Sequence, residues 1–218
     1  MRNCLIVCIL IALVGCELLP PAPPPPAPAQ PQPQAPVQGP PPTPEQVGKA
    51  LGTLNEAFRR EYERILAERG MRTVQASKGD AFNALLAGLT RLGMIVESRD
   101  AETGLLTVAA PAPRPLSADE WRRTVEADGP MMAAILCPAL GPYCRSVKFE
   151  PKDYVIVINA TILATAKNAS EVSLTTRMRE IQPRPGVPRR DYPPPTGVRM
   201  ALDKIWAQFE QQLAQAKR

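Results

Sequence analysis

Residues 154–181, YVIVINATILATAKNASEVSLTTRMREI, contain two apolar patterns separated by a short polar turn. From Tyr154 to Ala160 every second residue is strongly apolar, which is the period of a strand that buries one face. Residues 167–169 are a natural hairpin turn. The sequence therefore predicts two antiparallel strands, at 154–165 and 171–181, joined by this turn.

The second of these strands carries two arginines on its less apolar side. Arg177 and Arg179 alternate with apolar residues, so they should lie on the open face of the sheet, and a Pro/Arg-rich loop at 183–195 follows them. Guanidinium groups gathered in this way can bind anionic groups of a partner protein, lipopolysaccharide or peptidoglycan. The alternative is that they are solvated residues of an edge hairpin. The candidate binding residues are Arg177, Arg179, Arg184, Arg189 and Arg190.

The remaining strands and the last helix complete a predicted α+β domain at 71–218. A final amphipathic helix, from Val198 to Leu213, should pack on the sheet because its apolar residues recur at helical spacing. We predict an antiparallel sheet of five to six strands packed against this long C-terminal helix. The further strands are predicted at 71–76, 94–98, 105–108 and 145–150.

Three more helices are predicted from their caps. Thr43, with Pro44 and Gln46 after it, matches a capping box that begins a helix over 44–70. Its narrow apolar stripe suits either a coiled-coil seam or packing on the domain. Ser77 begins a helix that ends at Gly93. Ser117 begins a short one that ends near Gly129, with loop or broken helix through Cys144.

The N-terminus is similar to a lipoprotein signal peptide. Arg2 precedes the short apolar stretch from Leu5 to Val14, and Leu13-Val14-Gly15-Cys16 resembles the lipobox of bacterial lipoproteins. The resemblance implies that residues 1–15 are removed and that an acylated Cys16 holds the chain to membrane lipid. Such proteins usually go to the outer membrane when the residue after the cysteine is not aspartate. Glu17 stands at this position, so the resemblance implies the outer membrane, with the chain facing the periplasm. The alternative is an ordinary secretory signal.

Residues 16–43 follow as a linker. They are mostly Pro, Ala and Gln, without apolar periodicity, which is typical of an extended polyproline-like tether. If Cys4 and Cys8 leave with the signal peptide and Cys16 carries lipid, Cys137 and Cys144 remain as an even pair in an oxidising compartment, and they predict one disulfide. Two free thiols, or a reactive pair, are the alternatives.

Residues 73–108 resemble one particular family. The wording AFNALL at 81–86, LGMIVESRD at 92–100 and TGLLTV at 103–108 is similar to a motif of the BamC-type lipoproteins of the outer-membrane β-barrel assembly machinery. The resemblance implies a helix-grip domain. The rest of the chain is similar to that family only in the order of its elements.

The composition narrows the possible functions. The chain has no histidine, which removes Ser-His-Asp and Cys-His catalysis and the commonest zinc ligand, and it has no glycine-rich phosphate loop. The acidic residues Glu97, Asp100 and Glu102 lie on a predicted strand and turn, so their carboxylates need not meet in one catalytic site. With 26 basic and 21 acidic residues spread along the chain, nucleic acid is not expected as a partner. We expect no enzyme activity, cofactor or metal.

The sequence thus favours a non-catalytic, lipid-anchored envelope protein. It would act through contacts with an envelope protein partner, as an accessory of an outer-membrane assembly or transport complex. The alternative is a periplasmic carrier of an apolar or lipid ligand in a helix-grip cavity. The residues that would line such a cavity are Met131, Met132, Met178 and Trp206.

Overall fold

A computed structural model describes residues 40–183, 185 and 188–216. The predicted signal peptide, Cys16, most of the proline-rich linker and Arg184 lie outside the described residues. No helix in the described part of the chain is long and apolar enough to cross a membrane. The elements in chain order are α1 (Pro44–Arg69), β1 (Met71–Val74), α2 (Lys78–Arg91), β2 (Ile95–Asp100), β3 (Leu105–Pro111), α3 (Ala118–Leu140), two 3₁₀ helices (Gly141–Ser146 and Pro151–Asp153), β4 (Tyr154–Ala166), β5 (Ala169–Glu180) and α4 (Pro195–Ala216).

The five strands form one antiparallel sheet in the order β1-β5-β4-β3-β2. The β4–β5 hairpin lies at its centre, and Ile158 is paired with Thr176 on one side and with Val108 on the other. The predicted α+β class, antiparallel sheet and C-terminal helix are therefore confirmed.

The prediction of a strand at 145–150 is wrong. Residues 141–146 are a 3₁₀ helix, and residues 147–150 belong to no strand. Two carbonyl groups that a neighbouring strand would have bound are taken by side chains: Arg190 donates to the Lys148 oxygen and Trp121 to the Phe149 oxygen. The sheet therefore has five strands.

The helices cover one face of the sheet. The β4 residues at even positions from Tyr154 to Ile162 point into this core, together with their neighbours on β3 and β5. Burying one large apolar side chain stabilises a fold by about 1.5–3 kcal/mol. The largest fully buried side chains include Trp206, Tyr154, Phe58, Phe209, Leu54, Ile65, Leu85, Leu89, Leu106, Leu136, Ile158 and Ile162.

The first helix, α1, packs on its own domain. Its capping box is formed, with Thr43 accepting from the Gln46 amide and the Gln46 side chain accepting from the Thr43 amide. The buried face is the narrow stripe seen in the sequence: Ala50, Leu51, Leu54, Phe58, Tyr62 and Ile65. The structure therefore shows the stripe packed on the domain and not forming a coiled-coil seam.

The third helix is longer than predicted. It continues through Pro130 and Pro138 to Leu140, although proline supplies no amide and disfavours the helix interior. Met132, Leu136 and Leu140 are spaced four residues apart and all are buried, so tertiary packing holds the second half of the helix.

The disulfide between Cys137 and Cys144 is formed, as predicted. It connects the last turn of α3 to the 3₁₀ helix at Gly141–Ser146. The same cysteine pair thereby fixes the start of the irregular stretch that leads to β4.

Candidate functional site

The structure does not gather the predicted arginines into one cluster. Arg177 and Arg179 are exposed on the open face of the sheet, as expected from their alternation. Arg190 instead contacts Glu180, whose side chain points to the opposite side of β5. Arg189 is exposed, and Arg184 lies outside the described residues. Among the four described residues, Arg190 is therefore directed away from Arg177 and Arg179.

Arg177 is held by two tyrosine rings. Its guanidinium carbon lies 5.4 Å from the Tyr62 ring centre and 4.8 Å from that of Tyr192. Burial is the largest single influence and lowers the pKa of Arg177, but Tyr192, Tyr62 and Asp191 together raise that pKa above its ordinary value. Arg177 therefore stays charged while stacking on the domain.

Beyond the short β1, other groups cover the outer edge of β5. The Leu174 amide donates to the Gly70 carbonyl at 2.7 Å, and the Met178 amide donates to the Asp191 carbonyl at 2.9 Å. Between them, the Thr176 amide donates to the Tyr62 hydroxyl at 3.3 Å. This edge is thus closed to a further strand at these positions.

The acidic group named from the sequence has separate partners. Glu97 on β2 meets Arg179 on β5 at 3.4 Å, across β3 and β4. The Asp100 carboxylate accepts from the amides of Glu102 and Thr103, and the Thr103 amide is the main cause of its lowered pKa. Glu97 and Asp100 therefore each serve a structural contact.

The sequence did not predict one concave site that the structure describes, which we call the α1 cleft. It opens between the first turns of α1, the stretch before β4 and the end of β5, with a volume of about 610 Å³. Binding sites for small ligands typically have volumes of about 300–1,000 Å³. Its lining residues are Val47, Leu51, Ser146, Val147, Lys148, Glu150, Lys152, Asp153, Glu180, Ile181, Gln182 and Arg190.

An ion pair fixes one wall of the α1 cleft. Arg190 Nε donates to Glu180 at 2.7 Å and Arg190 Nη1 donates to the Lys148 carbonyl at 3.0 Å. The guanidinium also lies over the rings of Phe149 and Tyr154, at 5.3 and 5.1 Å. The side chains of Arg190 and Glu180 are 21% and 12% exposed, so this pair is largely shielded from solvent.

The remaining charges of the α1 cleft are exposed and of both signs. Lys148 and Lys152 alternate along the chain with Glu150 and Asp153, while Val47 on α1 supplies an apolar surface. Such a lining suits a partner that presents both charges and some apolar surface, rather than a simple anion. The alternating charges are visible in the sequence, but their position against α1 depends on the tertiary fold.

The residues named for an apolar cavity belong largely to the core. Met132, Met178 and Trp206 are buried there, and Met131 packs against it. A space between the sheet and α4, lined in part by Ile156 and Ala201, measures about 10 Å³. That is room for about one water molecule, and an acyl chain does not fit at this point.

No protein-family model, curated protein or solved structure matches this chain. The resemblance to BamC-type domains therefore stays a prediction.

Proposed function

We propose that this chain is a non-catalytic lipoprotein of the outer membrane that acts through protein–protein contacts in the periplasm, as an accessory of an assembly or transport complex. The acylated Cys16 anchors it, and residues 16–43 separate the domain from the bilayer. The lipobox-like sequence and the proline-rich composition support the anchor and the spacer.

The α1 cleft is the observation that supports a binding role. It is open to solvent, large enough for the tip of a partner loop, and lined by exposed charges of both signs beside an apolar helix face. Charge patterns of this kind select a partner and set its register more than they supply affinity. An envelope protein is the partner that suits such a surface.

Site-specific photo-cross-linking in the native envelope tests this function. We would place benzoylphenylalanine at Lys152, in the α1 cleft, and at Lys167, in the β4–β5 turn, as the matched control. The two positions lie at opposite ends of β4, which spans about 40 Å. We expect a discrete high-mass adduct from position 152 and none from position 167. Equal labelling at both positions, or none at 152, would contradict the proposal.

A further inference from the structure

The stretch at 147–150, before β4, is extended at both of its ends and belongs to no strand. Val147 and Glu150 have extended backbones, with φ and ψ of −77° and 109° and of −74° and 125°. Val147 and Phe149 point inward while Lys148 and Glu150 are exposed, which is the alternation of a half-buried strand. Yet residues 147–150 are paired with no other strand of the described chain.

The backbone hydrogen bonds of this segment are unevenly satisfied. The carbonyls of Lys148, Phe149 and Glu150 accept from Arg190, Trp121 and the Asp153 amide. Within the described part of the chain, the amides of the same three residues have no acceptor. An extended segment of this kind presents donors that water or another chain must satisfy.

The segment is also held in place before anything binds. The disulfide and a 3₁₀ helix precede it, and a second 3₁₀ helix follows. The Phe149 ring packs between Phe58, at 5.7 Å, and Tyr154, at 6.1 Å. A preformed edge costs little conformational entropy on binding, and the covered outer edge of β5 offers no comparable opening.

We propose that residues 147–150 are an open edge to which a partner protein adds an extended segment inside the α1 cleft. This inference rests on the proposed function and names its partner as a short, non-helical stretch. Its carbonyls would accept from the amides of Lys148 and Glu150, while the carbonyls of these two residues keep their own donors, Arg190 and the Asp153 amide. Its charges would alternate in sign to meet Lys148 and Glu150, and its apolar residues would face Val47 and Leu51.

Glu150→Pro tests the backbone contact directly. Glu150 has a φ of −74°, close to the proline value, so the substitution removes the amide without redirecting the chain. Glu150→Ala removes the same side chain and keeps the amide, so the comparison between the two variants isolates the hydrogen bond. With benzoylphenylalanine at Lys152, we expect the adduct yield of Glu150→Pro to fall about tenfold below that of Glu150→Ala.

Several outcomes separate this inference from the function on which it rests. No adduct in the parent chain overturns the proposed function. Equal adduct yields from the two Glu150 variants overturn only the strand addition. An adduct that maps to residues 17–39 of the same chain, or to a second copy, also overturns it, since the occupant is then not a partner.

Hydrogen exchange provides a test that does not depend on the folding of the proline variant. In the purified cross-linked complex of the parent chain, peptides covering residues 146–153 should exchange their amides at least about tenfold more slowly than in the free protein. Unchanged exchange in these peptides would overturn the inference, whereas the proposed function would stand on the adduct itself.

Discussion

Arg190 connects three parts of the α1 cleft wall. It binds Glu180 at the end of β5, the Lys148 carbonyl before β4, and the faces of Phe149 and Tyr154. Its neighbour Arg189 is exposed, and no hydrogen bond or ion pair joins it to the other described residues. Two adjacent arginines of the same loop therefore have different roles.

Arg190→Ala should lower the free energy of unfolding by about 2 kcal/mol, because Glu180 and the Lys148 carbonyl lose their donor in a largely shielded place. Urea denaturation measures this change. Arg189→Ala is the matched control and should stay within about 0.5 kcal/mol of the parent. Equal effects of the two substitutions would show that Arg190 does not support the cleft wall.

Glu120 makes the stability of the domain depend on pH. Hydrogen bonds from the Lys204 ammonium and then from the Ser117 amide hold the pKa of Glu120 below its ordinary value of 4.5. The folded state therefore binds fewer protons than the unfolded state. This contribution to stability is present above pH 4.5 and is lost as the pH falls through the folded-state pKa.

Glu120→Gln should keep the capping box with Ser117, because glutamine also fits that position, and lose the charge pair with Lys204. We expect the variant to be less stable by about 1 kcal/mol at pH 7, with a difference that shrinks as the pH falls below 4.5. Urea denaturation between pH 3 and 7 measures it. Asp119→Asn, which loses only a well-exposed ion pair with Arg122, is the control. A stability difference of Glu120→Gln that stays constant across this pH range would contradict the assignment.

Among the elements, the connection between α3 and β4 departs furthest from the sequence expectation. The sequence predicts a short helix that ends near Gly129, but the buried stripe of Met132, Leu136 and Leu140 extends α3 by ten residues, from 130 to 140. The sequence also predicts a strand at 145–150, but side chains bind the carbonyls of Lys148 and Phe149 there. In both places long-range packing outweighs local backbone preference.

The disulfide should stabilise this connection. Replacing both Cys137 and Cys144 by serine removes a cross-link between positions seven residues apart, and we expect the free energy of unfolding to fall by about 2–3 kcal/mol. Urea denaturation of the variant and of the oxidised parent gives the difference. The reduced parent serves as a control because it keeps both sulfurs. A variant as stable as the oxidised parent would show that packing alone holds residues 141–150.

At the scale of the whole molecule, the proposed anchor at Cys16 would determine where the domain acts. Cys16→Ser should stop acylation and processing, so labelled palmitate should no longer enter the chain, and a mature form should not appear in outer-membrane fractions. Cys4→Ser and Cys8→Ser, in the same N-terminal segment, are the controls and should leave both properties intact. Palmitate incorporation into Cys16→Ser equal to that of the parent would contradict lipidation at this position.

Local pattern sufficed to predict most elements of the domain. The caps at Thr43, Ser77 and Ser117 and the alternation in β4 and β5 are properties of neighbouring residues, and all lie where the sequence predicted them. The disulfide between Cys137 and Cys144 could also be predicted, because the other cysteines belong to the N-terminal segment. Periodicity and capping depend on contacts a few residues apart, so a single sequence contains them.

The tertiary structure alone determined the α1 cleft and the fate of the arginines. The α1 cleft joins residues of α1 to the stretch before β4 and the end of β5, which follow α1's lining residues by more than 90 positions in the chain. Likewise Arg190 and Arg177 share a sequence neighbourhood, but the sheet places their side chains against different partners. Periodicity predicts which face of an element is buried, whereas the surface that it meets depends on packing between distant residues.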